Sequence, residues 1–309
     1  MKTKKVQALS QAPFFNFLSV YRSLLLPCLL ALTCSACVST MEAAHREALF
    51  KNSNALIIDH TCTDISKIPD YWLNKAKELT IYYAHTSHGS QIISGAEFLA
   101  QQDPRFAFAV VRTNAENPEL PASDGAICMN STFGNSDSFW KSYFKPGGYT
   151  RKAADTGLFN FAMYSWCGEQ SSNSLQEVKK YLSALDGYEK EYPHMHFIYM
   201  TGHTDGTNRT LRLNNKLIRE YCAKHNKVLF DFADIESWSP SGEYYTNADN
   251  DCDWCVTWCR HNPHACTPLP LECAHSPDQG GEPERKFNCV LKGRAFWWMM
   301  ARLAGWTSE

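Results

Sequence analysis

The chain has 309 residues, 30 Lys and Arg against 32 Asp and Glu, and a formal charge of -2. This balance gives no electrostatic footing for a nucleic-acid partner or an anionic membrane surface. The length allows a substantial core, and aromatic content of 13%, with nine Trp, is first explained by filling it.

The chain opens with Lys2, Lys4, Lys5 and Arg22, then an apolar run from Leu24 to Leu32 broken only by Pro27 and Cys28, then Ser35 and Ala36. A basic start, a short apolar stretch and a small-residue exit predict an export signal over residues 1–36. The run is too short to serve as a membrane anchor. Residues 37–53 are polar and helix-prone and read as a tether, leaving 54–309 as one α/β domain.

Cys34-Ser35-Ala36-Cys37 resembles a bacterial lipoprotein signal, in which the Cys after small residues becomes the acylated N-terminus; Cys34 stands where the pattern prefers an aliphatic residue. Of 13 cysteines, three lie at or before the cut, and ten remain. An even ten suits a disulfide framework and favours lipidation at Cys37 over plain cleavage, which would leave an orphan. An extracytoplasmic location is expected, with membrane contact only through that anchor.

Short runs rich in Ile, Val, Phe and Tyr then predict strands at Ala55–Asp59, Leu79–Ala84, Phe106–Arg112, Leu158–Ser165, Met195–Thr201 and Val228–Phe232. Helical spacing marks Ser90–Gln101, Asn173–Leu185 and Asn208–His225, and the apolar Lys292–Ala304 reads as a core helix. Alternation of the two predicts a mostly parallel sheet with helices on both faces. In such sheets ligands bind beyond the carboxyl ends of the strands. Residues 114–156 and about 247–289 break the alternation. The second is a cysteine-rich insertion (Cys252, Cys255, Cys259, Cys266, Cys273, Cys289) that export assigns to disulfides rather than to zinc. Its expected role is to staple the loop that carries His275 against the sheet, since Cys273 sits two residues before that His.

Read at the strand ends, the chemistry-bearing residues are His85-Thr86-Ser87-His88-Gly89-Ser90, Trp166-Cys167-Gly168, Gly202-His203-Thr204-Asp205 and Glu272-Cys273-Ala274-His275. In this order they resemble the SGNH (GDSL-type) hydrolases, esterases and deacylases on a flavodoxin-like three-layer α/β sandwich. The resemblance implies Ser87 as nucleophile, His275 as base and Glu272 as its orienting acid. It further implies Gly168 and Thr204 as oxyanion donors, in a Gly202-His203-Thr204-Asp205 block where His203 and Asp205 would contact substrate. Here His85-Thr86 replaces Gly-Asp, Thr204 replaces Asn and Glu272 replaces Asp. Ser90, one helical turn on, is the rival nucleophile, and a helix N-cap is the plain alternative role for Ser87.

The implied activity is hydrolysis of an ester, such as an O-acyl group on a polysaccharide, with no cofactor. A different class is also open. His85, His88, His203 and His275 all fall at predicted strand ends, and His is the commonest metal ligand. That reading expects a Zn or Cu enzyme, with Asp205 or Glu272 as an oxygen ligand. The third reading is a non-catalytic glycan-binding protein.

Overall fold

A computed structural model describes residues 54–114, 116–134, 137–145, 148–276 and 281–307. The predicted export signal, Cys37 and the tether lie outside the described residues.

Seven parallel strands form one sheet in the order β1-β7-β6-β5-β2-β4-β3. They are β1 (Leu56–Ile58), β2 (Thr80–His85), β3 (Phe108–Thr113), β4 (Ile127–Phe133), β5 (Phe161–Tyr164), β6 (His196–Met200) and β7 (Val228–Phe230). Nine α-helices are described: α1 (Asp70–Ala76), α2 (Ser90–Gln102), α3 (Asp137–Trp140), α4 (Tyr149–Asp155), α5 (Leu175–Glu191), α6 (Arg209–Lys224), α7 (Phe232–Ser237), α8 (Asp253–His261) and α9 (Phe287–Leu303). Helix α9 packs against α1, α2, α7 and α8, whereas α5 packs against α3 and α6. The result is a flavodoxin-like three-layer α/β sandwich. Residues 252–289 add three disulfides to it.

Strand β4 lies in the stretch 114–156 that breaks the predicted alternation and has few apolar runs. Its centre is polar yet buried: Asn130, Ser131 and Thr132 are each at most 3% exposed. Asn130 donates to Thr113 Oγ1 and the Glu119 carbonyl, and Thr132 donates to Asn130 Oδ1. Hydrogen-bonded polar side chains can occupy a core strand at little cost, but they erase the hydrophobic signature.

Strand β2 stands at the switch point of the topology. The chain adds β3 and β4 on one side of it, then returns to build β5, β6 and β7 on the other. The turns leaving β6, β5 and β2 are therefore neighbours along the carboxyl edge, and a crevice opens there.

Helix α9 is buried nearly throughout, including Phe296, Trp297, Met299 and Met300, in agreement with its reading as core. It crosses α2 at Gly95 and Gly293. A Cβ on Gly95 would lie 1.9 Å from the Cys289 carbonyl oxygen, and one on Gly293 would lie 2.3 Å from the Gly95 carbonyl carbon. Only glycine permits this approach, which locks the helix that starts after Ser87 to the terminal helix.

Candidate active site

Beyond His85 the chain turns through Thr86–Gly89 and enters α2. Gly89 is the last residue before the helix and offers no capping side chain. A Cβ there would meet Ser165 Oγ at 2.1 Å and His85 Cβ at 2.5 Å, so the turn closes tightly only with glycine. Among the described residues, the N–H groups of Ser87, His88 and Gly89 donate to no protein acceptor, as expected at a helix N-terminus. Ser87 is not a cap. Its Oγ lies 2.7 Å from His275 Nε2, a contact spanning 188 residues of sequence. Ser90 instead sits with its Oγ 3.5 Å from the Thr86 carbonyl.

His275 has φ 64, the left-handed region that non-glycine residues seldom enter. Its loop is held on two sides. The Cys273–Cys289 disulfide ties it to α9, and Gln91 Nε2 donates to the Ala274 carbonyl at 2.5 Å. Surrounding contacts of this kind sustain an unfavourable backbone conformation, and such conformations cluster at functional sites. The staple of the His275 loop is present, but its far end is on the terminal helix and not on the sheet.

Two further imidazoles stack on His275. His88 lies 3.8 Å from it, ring centre to ring centre, with 6° between planes; His203 covers the other face of His88 at 3.7 Å and 11°. The edges of His88 are also engaged, Nδ1 with Cys167 Sγ at 3.3 Å and Nε2 with Asn250 Nδ2 at 2.6 Å. Because an amide nitrogen can only donate, Nε2 is the acceptor and the ring hydrogen sits on Nδ1. Burial first, then the neighbouring His203, His275 and Lys292, push His88 down to about 2, so the ring is neutral.

Cys167, which stands at a predicted strand end but has no assigned role of its own there, sits between the two halves of this arrangement, its sulfur 4.0 Å from Ser87 Oγ. The signal was available: it is the third residue after β5, the strand adjacent to β2, in a Cys-Gly pair. Asn250 carried no comparable signal, because it arrives from a loop about 160 residues away.

The remaining expected residues divide. Gly168 is exposed at the end of β5, and its N–H makes no hydrogen bond among the described residues, leaving it available as a donor. Thr204 is not available in the expected way. Its hydroxyl and its N–H both donate to Glu236 Oε2, at 2.9 and 2.6 Å, so a buried carboxylate already claims the group proposed to bind an oxyanion. Asp205 accepts from Ser171 Oγ at 2.7 Å and Asn208 Nδ2 at 3.3 Å, which shapes the loop. Glu272 is exposed and makes no hydrogen bond or ion pair with His275, so the structure does not place it as the orienting acid.

The four histidines of the metal reading do not surround a common point. His85 has both ring nitrogens engaged, with the Thr86 carbonyl and Ser131 Oγ, each at 2.8 Å. Burial pushes it down to about 4. The other three are stacked face to face, so their in-plane lone pairs lie in separate parallel planes and cannot converge on one ion. Among the described residues, the groups with metal-compatible spacing are Asp59, His60 and Asp234, and Asp249, Asp251 and Asp253. Neither includes a residue from that set.

Beneath the site, Lys292 of α9 is fully buried and donates to Gln91 Oε1, Glu236 Oε1 and Asn288 Oδ1 at 2.5, 2.6 and 2.7 Å. Burial lowers it to about 8 against the pull of Glu236. Through Gln91 and Glu236 this one ammonium supports both the Ala274-His275 loop and the His203-Thr204 loop.

Three disulfides join Cys252–Cys255, Cys259–Cys266 and Cys273–Cys289, as a chain folded in an oxidising compartment would have. Cys62, Cys128, Cys167 and Cys222 are free. The even count therefore does not reflect full pairing, and acylation of Cys37 rests on the signal pattern alone. Among the described residues no helix is long and apolar enough to cross a membrane. No protein-family model matches the chain, and no curated protein matches it.

Proposed function

We propose that this protein is an extracytoplasmic serine hydrolase that cleaves esters, using Ser87 as nucleophile and His275 as general base. The observation that carries the reading is the 2.7 Å contact between Ser87 Oγ and His275 Nε2 at the switch point of a parallel sheet. A hydroxyl becomes a useful nucleophile when an imidazole within hydrogen-bond reach takes its proton.

In the proposed reaction Ser87 Oγ attacks the acyl carbon as its proton passes to His275 Nε2. The developing oxyanion is met by the N–H groups of Ser87 and Gly168, each such donor contributing about 3 kcal/mol to lowering the barrier. His275 then protonates the leaving alcohol. Water, deprotonated by His275, releases the acid and restores Ser87. The order of these residues is similar to that of the SGNH hydrolases, and the sandwich is the fold that resemblance implies.

The substrate class we infer is an O-acyl ester on an extracytoplasmic polysaccharide, on the strength of location. Tethering through an acylated Cys37 completes the proposal. The test is hydrolysis of p-nitrophenyl acetate and of an acetylated polysaccharide by purified protein, beside Ser87→Ala and metal analysis of the same samples. The expected result is activity that disappears in Ser87→Ala. Activity that survives Ser87→Ala together with one bound metal per chain would overturn the serine mechanism, and inactivity on every ester without bound metal would leave a binding protein.

A further inference from the structure

The middle ring of the imidazole stack has no role in the reaction as written. His88 is 4% exposed, fixed at its edges by Cys167 and Asn250, and covered on its two faces by His203 and His275. His203 closes the stack from outside, its Nδ1–H donating to the Thr204 carbonyl at 2.7 Å. A face-to-face neighbour cannot supply His275 with a hydrogen bond. What it supplies is a flat wall, and rotation of the His275 ring about its own axis would drive that ring into the wall. The wall matters because Nε2 reaches Ser87 Oγ in only one ring orientation.

Building on the serine-hydrolase reading, we propose that His88 is a positioning residue, a neutral ring that fixes the plane of His275 and aims its Nε2 at Ser87. The electrostatics agree with this use. When His275 takes the Ser87 proton, the imidazolium lies against the π face of a neutral ring, a favourable arrangement for a cation. A charged His88 at 3.8 Å would oppose that step; its burial, His203 and the Lys292 ammonium all hold it neutral.

The experiment measures the rate at which an alkyl fluorophosphonate labels Ser87, together with kcat and KM for p-nitrophenyl acetate, in full-length wild type, His88→Ala, His88→Phe and Asn250→Ala. The expected result is a fall of about 100-fold in labelling and in kcat for His88→Ala, with KM within about threefold. His88→Phe, which restores a flat ring, should recover kcat to within about tenfold of wild type. Asn250→Ala, which removes only one edge contact, should label more slowly than wild type with an unchanged melting temperature. Labelling of His88→Ala within threefold of wild type would overturn the proposal, as would equal loss in His88→Ala and His88→Phe when both melt like wild type. Absence of labelling in wild type itself would instead sink the serine-hydrolase reading.

Discussion

The side-chain amide of Gln91, in the first turn of α2, donates to the carbonyl of Ala274, the residue before His275, at 2.5 Å. Its oxygen accepts from Lys292. The nucleophile turn and the base loop are thus coupled through one buried amide and one buried ammonium.

Lys292→Met should be severely destabilising. It leaves Glu236, 1% exposed, without its cation, and removing one partner of a buried pair costs about 3 to 5 kcal/mol. Lys292→Met with Glu236→Gln should recover part of that loss, because the orphan charge is gone. Urea melts of the two variants and wild type give the comparison. A double variant no more stable than the single one would mean that Glu236 is not the source of the cost.

Removing the Cys273–Cys289 bridge opens a loop with a sequence separation of 16. Cys273→Ala with Cys289→Ala is expected to lose about 3 kcal/mol of stability. Activity should fall further than stability explains, since His275 two residues on keeps its left-handed backbone only while the loop is tied. Assaying the variant well below its melting temperature separates the effects, and wild-type kcat there would refute the link.

Stability should decline on acidification. His85 and His88 are held down to about 4 and about 2, whereas in the unfolded chain each takes up its proton near the ordinary value of 6.5. Between those values the unfolded state binds more protons, so their contribution is complete above pH 6.5 and is lost as pH falls. From pH 6.5 to 5 each histidine accounts for about 2 kcal/mol, at about 1.4 kcal/mol per pH unit. His88→Phe should shrink the loss between pH 7.5 and 5 by that amount in urea melts. A slope identical to wild type would contradict the buried, neutral ring.

Gly95→Ala would push a methyl group into the Cys289 carbonyl across the α2–α9 crossing. The helices must separate, at a cost of at least about 2 kcal/mol. The same substitution at Gly157, where a Cβ meets nothing within 4 Å but φ is 66, should cost less, through backbone strain alone. Thermal melts of both variants rank the two effects; the reverse ranking would show that the crossing can relax.

Six of the seven strands and the four helices with clear apolar spacing were legible in the chain, because burial on a sheet or a helix face imposes a period that side chains alone reveal. The class of fold followed from their alternation. Strand β4 was not legible, since Asn130, Ser131 and Thr132 are satisfied by hydrogen bonds, Thr132 to Asn130, Asn130 to Thr113 and Ser131 to His85, instead of presenting apolar surface. Ser87 and His275 could be named from their places at strand ends and before the last helix. Their meeting at 2.7 Å could not, because they lie 188 positions apart in the chain. Glu272 and Thr204 show the limit: a correct spacing says nothing of whether a carboxylate faces solvent, or whether a hydroxyl is already claimed by Glu236. The four histidines looked alike along the chain. Tertiary structure made one a satisfied partner of Ser131 and three a stack, because ring orientation depends on contacts that only folding brings together.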